Sequence, residues 1–258
     1  VAIGSAAQGL GIATLSGGTA NSTLTAESSY GANAVYFTAG NGNDSLTGAA
    51  GNDTLVAGGG AARLTGNDGN DSFLFASGTQ IANNTVVGGA GTDTLVLTAT
   101  STITDAQLVN VSGVEAIQAS SLTGNSITVG ANAVAGGVLS LFGGASSDLL
   151  SAAGMNSGNI WIQGDAVGGT STLGDTLVAG TGTSRATLVG NISSTADNYF
   201  RISAASLLGN NSIVGGSASE DYLQITGSNQ TLTDSSFTQV SGLNGLILTG
   251  SSNTITLG

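Results

Sequence analysis

The chain has 258 residues, 43 of them Gly, no Pro, Cys or His, and three basic residues (Arg63, Arg185, Arg201) against 15 acidic ones, for a net charge of -12. Without His or Cys there is no zinc or haem ligation, thiol catalysis or Ser-His-Asp catalysis, and a chain this acidic is repelled by nucleic-acid phosphate. No apolar stretch reaches the ~18 residues a membrane span needs, and the mixture of small apolar residues with Gly, Ser, Thr, Asn and Asp suits narrow, turn-rich β structure.

In chain order, short strands are predicted at 35–38, 45–47, 54–56, 73–75 and 94–97, then at 127–129, 139–142, 159–162, 176–178, 222–225, 245–248 and 254–257, each bounded by Gly, Asn, Asp or Ser. Two segments, 104–111 and 233–240, have a weak helical look, with Asp105 and Asp234 placed to cap a single turn.

Two periods run through the sequence. The short one is nine residues: AGNGNDSLT (39–47), GAAGNDTLV (48–56), AGGGAARLT (57–65) and GNDGNDSFL (66–74) keep one register, with further copies GGAGTDTLV at 88–96, GGASSDLLS at 143–151 and TSTLGDTLV at 170–178. The long one relates the two halves. Asp53-Thr-Leu-Val recurs as Asp175-Thr-Leu-Val, Asn84-Thr-Val-Val as Asn211-Ser-Ile-Val, and Asn125-Ser-Ile-Thr-Val as Asn253-Thr-Ile-Thr-Leu. The chain therefore reads as two tandem units of about 129 residues, 1–130 and 131–258, the second a degenerate copy. It starts and stops at one phase of that unit, which leads to the expectation of a window in a longer array.

The pattern G-G-x-G-x-D-x-U-x, with U a large apolar residue, resembles the calcium-binding nonapeptide of RTX proteins. The resemblance is specific over 39–96 and compositional elsewhere. It implies an all-β fold, a parallel β-solenoid or β-roll of right-handed β-helix type, in which glycine-rich turns alternate with short strands and U points inward. It also implies Ca2+ held between stacked turns by Asp carboxylates and turn carbonyls.

With 18 residues per coil, Asp53 and Asp71 share one edge, one coil apart, whereas Asp44 faces Ala62. The candidate calcium ligands are accordingly Asp53 and Asp71, then Asp44 and Asp93, with Asp68 adding a carboxylate beside Asp71. The competing reading is that Asp and Asn close turns and form hydrogen-bonded ladders, and for Asp148 and Asp175, whose glycine frames are broken, that reading prevails. Arg63 and Arg185 occupy equivalent repeat positions and are expected to form structural ion pairs or contacts between protomers; the alternative is a substrate clamp or catalytic base on a solenoid surface, as in enzymes that cleave acidic polysaccharides. Trp161, flanked by Ile160 and Ile162, is expected to fill a wide coil or a lateral contact, with sugar stacking as the less favoured alternative.

No catalytic residues are assigned. The resemblance extends to bacterial surface-layer proteins, large adhesins and matrix filaments exported by type I secretion. It implies a non-catalytic structural segment of an extracellular protein that assembles with copies of itself. Cell-surface or extracellular polysaccharide is a further partner, and nucleic acid and a membrane span are not expected. The alternatives are a stalk or ligand-binding segment of an adhesin and, less favoured, a solenoid polysaccharide lyase or epimerase or an ice-binding protein.

Overall fold

A computed structural model describes residues 1–119, 124–165, 174–190, 196–209, 211–216, 220–256 and 258. Leu257 and residues 170–173 of the last nonapeptide fall outside the described residues. Every strand pairing with a described register is parallel, and successive strands join different sheets, as a β-roll requires. The described residues form two compact units: Val1–Gln118 with Ala135–Val138, and Ala119–Val134 with Leu139–Gly258.

In the first unit, one sheet orders Ala2–Ile3, Thr23–Ala26, Asp44–Thr47, Ala62–Asp68, Thr85–Ala90 and Val111–Ser112. The other orders Thr14–Ser16, Tyr36–Thr38, Thr54–Val56, Ser72–Phe75, Thr94–Leu97 and Ala116–Gln118. Strand alternation puts every second side chain inside. Leu24, Leu46, Leu64, Val86 and Val111 stack in one column. Leu15, Phe37, Leu55, Phe73, Leu95 and Ile117 stack in the other. The U positions Leu46, Leu55, Leu64, Phe73 and Leu95 are all fully buried. Each such side chain contributes about 1.5–3 kcal/mol by leaving water, which is how a chain with few aromatics holds a core.

The second unit repeats the plan. Ser126–Thr128, Leu149–Ser151, Thr176–Val178, Tyr199–Ser203, Tyr222–Thr226 and Gly245–Leu248 form one sheet. Its inward column is Ile127, Leu150, Leu177, Phe200 and Leu223, with Leu246 in register after them but 37% exposed. Ser140–Gly143, Asn159–Asp165, Arg185–Val189, Ser212–Val214 and Val240–Ser241 form the other, with Leu141, Ile162, Leu188, Ile213 and Val240 inward.

Both predicted helical segments are single 3-10 turns, Asp105–Leu108 and Asp234–Phe237. Their caps are corrected by one residue: Thr104 and Thr233, not Asp105 and Asp234, hold the cap position, each in a reciprocal capping box. The Thr backbone is extended, and its N–H donates to a side chain three residues on, Thr104 to Gln107 Oε1 (2.7 Å) and Thr233 to Ser236 Oγ (3.1 Å), while the Asp is already helical. Four short α-helices were not expected: Ser5–Gly9, Gly78–Asn83, Ala131–Gly136 and Ala204–Leu208. Two of them begin on a serine cap, Ser77 accepting from Gln80 N–H and Ser203 from Ser206 N–H. Runs of five or six residues without marked periodicity leave little helical signal.

Among the described residues no helix is long and apolar enough to cross a membrane.

Candidate functional site: the buried aspartate rows

At the start of the nonapeptide strand, or just before it, four of the repeats carry an Asp whose side chain points into the coil. Asp44, Asp53, Asp71 and Asp93 are 3%, 1%, 1% and 0% exposed. The first unit strings the last three into a ladder. Val35 N–H donates to Asp53 Oδ1 (2.8 Å), Asp53 N–H to Asp71 Oδ1 (2.8 Å), Asp71 N–H to Asp93 Oδ1 (2.7 Å) and Asp93 N–H to Glu115 Oε2 (2.8 Å). Asp53 and Asp71 are thus stacked 18 residues apart, as expected. Asp93 continues the same row after 22 residues, because the helix Gly78–Asn83 lengthens that coil. Asp44 lies on the other sheet and pairs with Ala62, also as expected. It accepts from Ser22 N–H (2.6 Å).

The adjoining Asn residues run the ladder in the opposite direction. Asn43 N–H donates to Asn21 Oδ1, Asn70 N–H to Asn52 Oδ1, and Thr92 N–H to Asn70 Oδ1. An Asn-Asp dipeptide therefore ties each coil both to the one before and to the one after. The ladder role expected of Asn under the competing reading falls on Asn21, Asn52 and Asn70, which the sequence reading did not single out for it, and that reading missed Glu115 as the end of the carboxylate row. The signal was present in the Asn preceding Asp44, Asp53 and Asp71.

The second carboxylate oxygen distinguishes the rungs. Asp44 Oδ2 accepts from Gly40 N–H and Asp53 Oδ2 from Ala49 N–H, both at 2.6 Å. Asp71 Oδ2 and Asp93 Oδ2 are buried with no hydrogen-bond partner. Four residues before them stand Asn67 and Gly89, at φ 83 and 135, where the strands Ala62–Asp68 and Thr85–Ala90 run on through the turn. No turn N–H is aimed back at Oδ2 there.

A buried carboxylate oxygen without a donor is costly when ionised. Burial pushes the Asp71 carboxyl up to about 7; the hydrogen bond from Asp53 N–H opposes this, and the charges of Asp53, Asp93 and Asp68 add to it. Burial likewise raises Asp53 and Asp93. Asp68 itself is exposed at the end of its strand, paired with Ala90.

Glycine is required five residues before Asp53, Asp71 and Asp93, at Gly48, Gly66 and Gly88, because the carboxylate fills the space of a side chain. A Cβ on Gly66 would lie 1.9 Å from Asp71 Oδ2 and 2.7 Å from Gly88 O; one on Gly88 would lie 2.4 Å from Asp93 Oδ2 and 1.6 Å from Gly113 O. The same cradle shows that an unpartnered carboxylate oxygen and a carbonyl of the next coil crowd one small space. Calcium is a hard cation that takes such oxygens, so Asp71 and Asp93 fit it, whereas both oxygens of Asp44 and Asp53 already accept N–H groups. Among the described residues no three acidic side chains form a metal-holding group, so backbone carbonyls have to complete the shell.

The second unit has the same ladder with a different composition. Asn125 N–H donates to Asp148 Oδ1, Asp148 N–H to Asp175 Oδ1, Asp175 N–H to Asn198 Oδ1, Asn198 N–H to Asp221 Oδ1 and Asp221 N–H to Asn244 Oδ1, over 2.5–3.1 Å. Asp148 and Asp175 are ladder rungs, as the sequence suggested. Asp175 Oδ2 has no partner, and burial pushes that carboxyl up to about 8, opposed by Asp148 N–H and reinforced by the charges of Asp165 and Asp148.

The structural ion pairs expected of Arg63 and Arg185, and the coil filling expected of Trp161, are corrected. Among the described residues neither Arg63 nor Arg185 has an ion-pair partner; both lie on outward strand positions, away from the buried Asp rows. Trp161 fills no coil. It is 43% exposed while Ile160 and Ile162 are buried, because alternation in Asn159–Asp165 turns it outward.

A family model of the RTX calcium-binding nonapeptide repeat, four copies long, matches residues 36–64 and 81–98. No curated protein and no solved structure matches the chain. The matched residues include Asp44, Asp53 and Asp93, and with the parallel β-roll built on them they show that this part of the chain carries RTX-like nonapeptide repeats, of a kind that binds Ca2+.

Proposed function

We propose that the chain is a non-catalytic structural segment of a secreted, extracellular repeat protein, set by calcium and assembling with copies of itself. The observation that carries this reading is the carboxylate row Asp53–Asp71–Asp93, buried and ending on the half-buried Glu115, with two unpartnered oxygens at its centre. At neutral pH those oxygens call for a proton or a cation. Asp71 and Asp93 are the primary ligands, aided by turn carbonyls. Asp53 and Asp44 hold the turns through N–H groups, and Asp68 adds charge near Asp71. Bound calcium would supply the positive charge that lets these carboxylates stay ionised inside the coil.

For assembly, the support is electrostatic. A net charge of -12 makes copies repel one another, and a divalent cation lowers that charge at the coils it orders. The two units are proposed to be copies of one ancestral unit, supported by their shared caps and ladders. The test is sedimentation and thermal unfolding of the full chain in calcium and in chelator. Calcium should raise the midpoint saturably and increase the sedimentation coefficient with protein concentration. No thermal response to millimolar calcium rejects the calcium part; a monomer at every concentration rejects assembly.

A further inference from the structure

The second unit carries a surface feature that none of the Asp rows uses. A groove of about 480 Å³ is lined by Leu139, Asn159, Ile160, Trp161, Arg185 and Thr187. Neighbouring strands build it, the pairing setting Asn159 beside Arg185 and Trp161 beside Thr187. Trp161 is the single Trp of the chain and stands 43% exposed. Arg185 is one of three cations, is exposed, and its guanidinium has no hydrogen bond or ion pair among the described residues. Arg201, by contrast, donates through Nε to Gln224 Oε1 (2.6 Å). Arg63 is flanked in its ladder by Ser45 and Thr85.

An exposed indole beside an unpaired guanidinium, an amide and a hydroxyl is a combination with a definite complement. The indole face takes a flat apolar surface, the guanidinium fork takes a carboxylate in two parallel hydrogen bonds, and Asn159 and Thr187 offer partners for hydroxyl groups. A pyranose has an apolar C–H face and a rim of hydroxyls; a uronic acid adds the carboxylate. We propose that this groove binds a uronic-acid residue of an acidic saccharide, with Trp161 under the ring, Arg185 on the carboxylate, and Asn159 and Thr187 on the hydroxyls. The charge of -12 repels a long polyanion, so the ligand is a short segment or chain end. The site is independent of the calcium reading, because no Asp of either row lines it.

Trp161 is its own probe. Tri-galacturonate, titrated into the full chain at fixed calcium and ionic strength, should change the Trp161 emission saturably, and the neutral galactose trimer should bind about tenfold more weakly or worse, the loss expected when a charge-assisted bidentate pair is absent. Arg185→Gln should lose about the same factor for the acid and little for the neutral sugar, whereas Arg63→Gln should change neither. Far-ultraviolet circular dichroism of each variant with and without calcium separates loss of binding from loss of fold, and separates failure here from failure of the calcium reading. Unchanged emission with both trimers overturns the proposal, and so does equal affinity for acid and neutral sugar. Emission that changes with protein concentration alone, in step with association that Trp161→Ala abolishes, overturns it as well and makes the groove a contact between copies.

Discussion

The two units build one ladder from different chemistry. In the first, successive rungs are Asp53, Asp71, Asp93 and Glu115, all acidic. In the second, the rungs from Asp175 are Asn198, Asp221 and Asn244, so acid alternates with amide. Both residue types accept the backbone N–H of the preceding coil equally well, since each presents a side-chain oxygen at the same place. The hydrogen bond therefore does not require a charge, and the surplus charge of the first unit needs another explanation. A cation supplies one. The second unit confines its adjacent acids to Asp148 and Asp175.

The core is what the units share, so its disruption should be the largest effect and equal in both. Phe73→Ala and Phe200→Ala remove fully buried rings from equivalent inward columns and should each cost about 3–5 kcal/mol, measured by denaturant unfolding. A markedly smaller loss at Phe200 would show that the second unit's column is loosely packed and would break the equivalence.

Calcium should separate the units. At a hundredfold excess over its dissociation constant, one bound ion stabilises the fold by about 2.7 kcal/mol, and hydrogen exchange should place that protection around 62–93 and not around 198–244. Uniform protection across both would mean that the amide rungs do not dilute the site.

Exchanging rungs sharpens the comparison. Asp71→Asn should keep the ladder, stabilise the chelated protein by about 1–3 kcal/mol by removing an unsatisfied buried charge, and suppress the calcium response. Asn198→Asp should do the reverse and confer calcium sensitivity on the second unit. Thermal melts in chelator and in calcium read both.

The pH dependence follows from the same carboxyls. Asp71 and Asp175 are raised from 3.8 to about 7 and about 8 in the fold. The folded state then binds protons more tightly than the unfolded chain, so the stability of the chelated protein is full below pH ~4 and falls as pH rises through 7 and 8. Melts in chelator between pH 4 and pH 8.5 check the sign; rising stability over that range would contradict the buried, unpartnered oxygens.

The smallest effect tests the turns. Thr104→Ala and Thr233→Ala remove equivalent caps and should each cost about 1 kcal/mol, readable as small, matching shifts in midpoint.

How far the sequence reaches is clear from individual residues. Nine-residue spacing alone places Leu46, Leu55, Leu64 and Phe73 inside and identifies the glycines, because a two-residue alternation and a fixed turn length leave one register. It also places Asp53 over Asp71 and Asp44 over Ala62, since each step is 18 residues. It does not reveal that Asp93 joins the row after 22 residues, because coil length there depends on how the helix Gly78–Asn83 packs. Nor does it separate Asp53, whose second oxygen accepts Ala49 N–H, from Asp71, whose second oxygen has no donor. That distinction rests on the backbone direction at Asn67, which the running strand and its neighbour decide together. The outward turn of Trp161 and the open space beside Arg185 belong to the tertiary structure for the same reason: local pattern sets which face a side chain takes, and only the packed coils decide what remains uncovered.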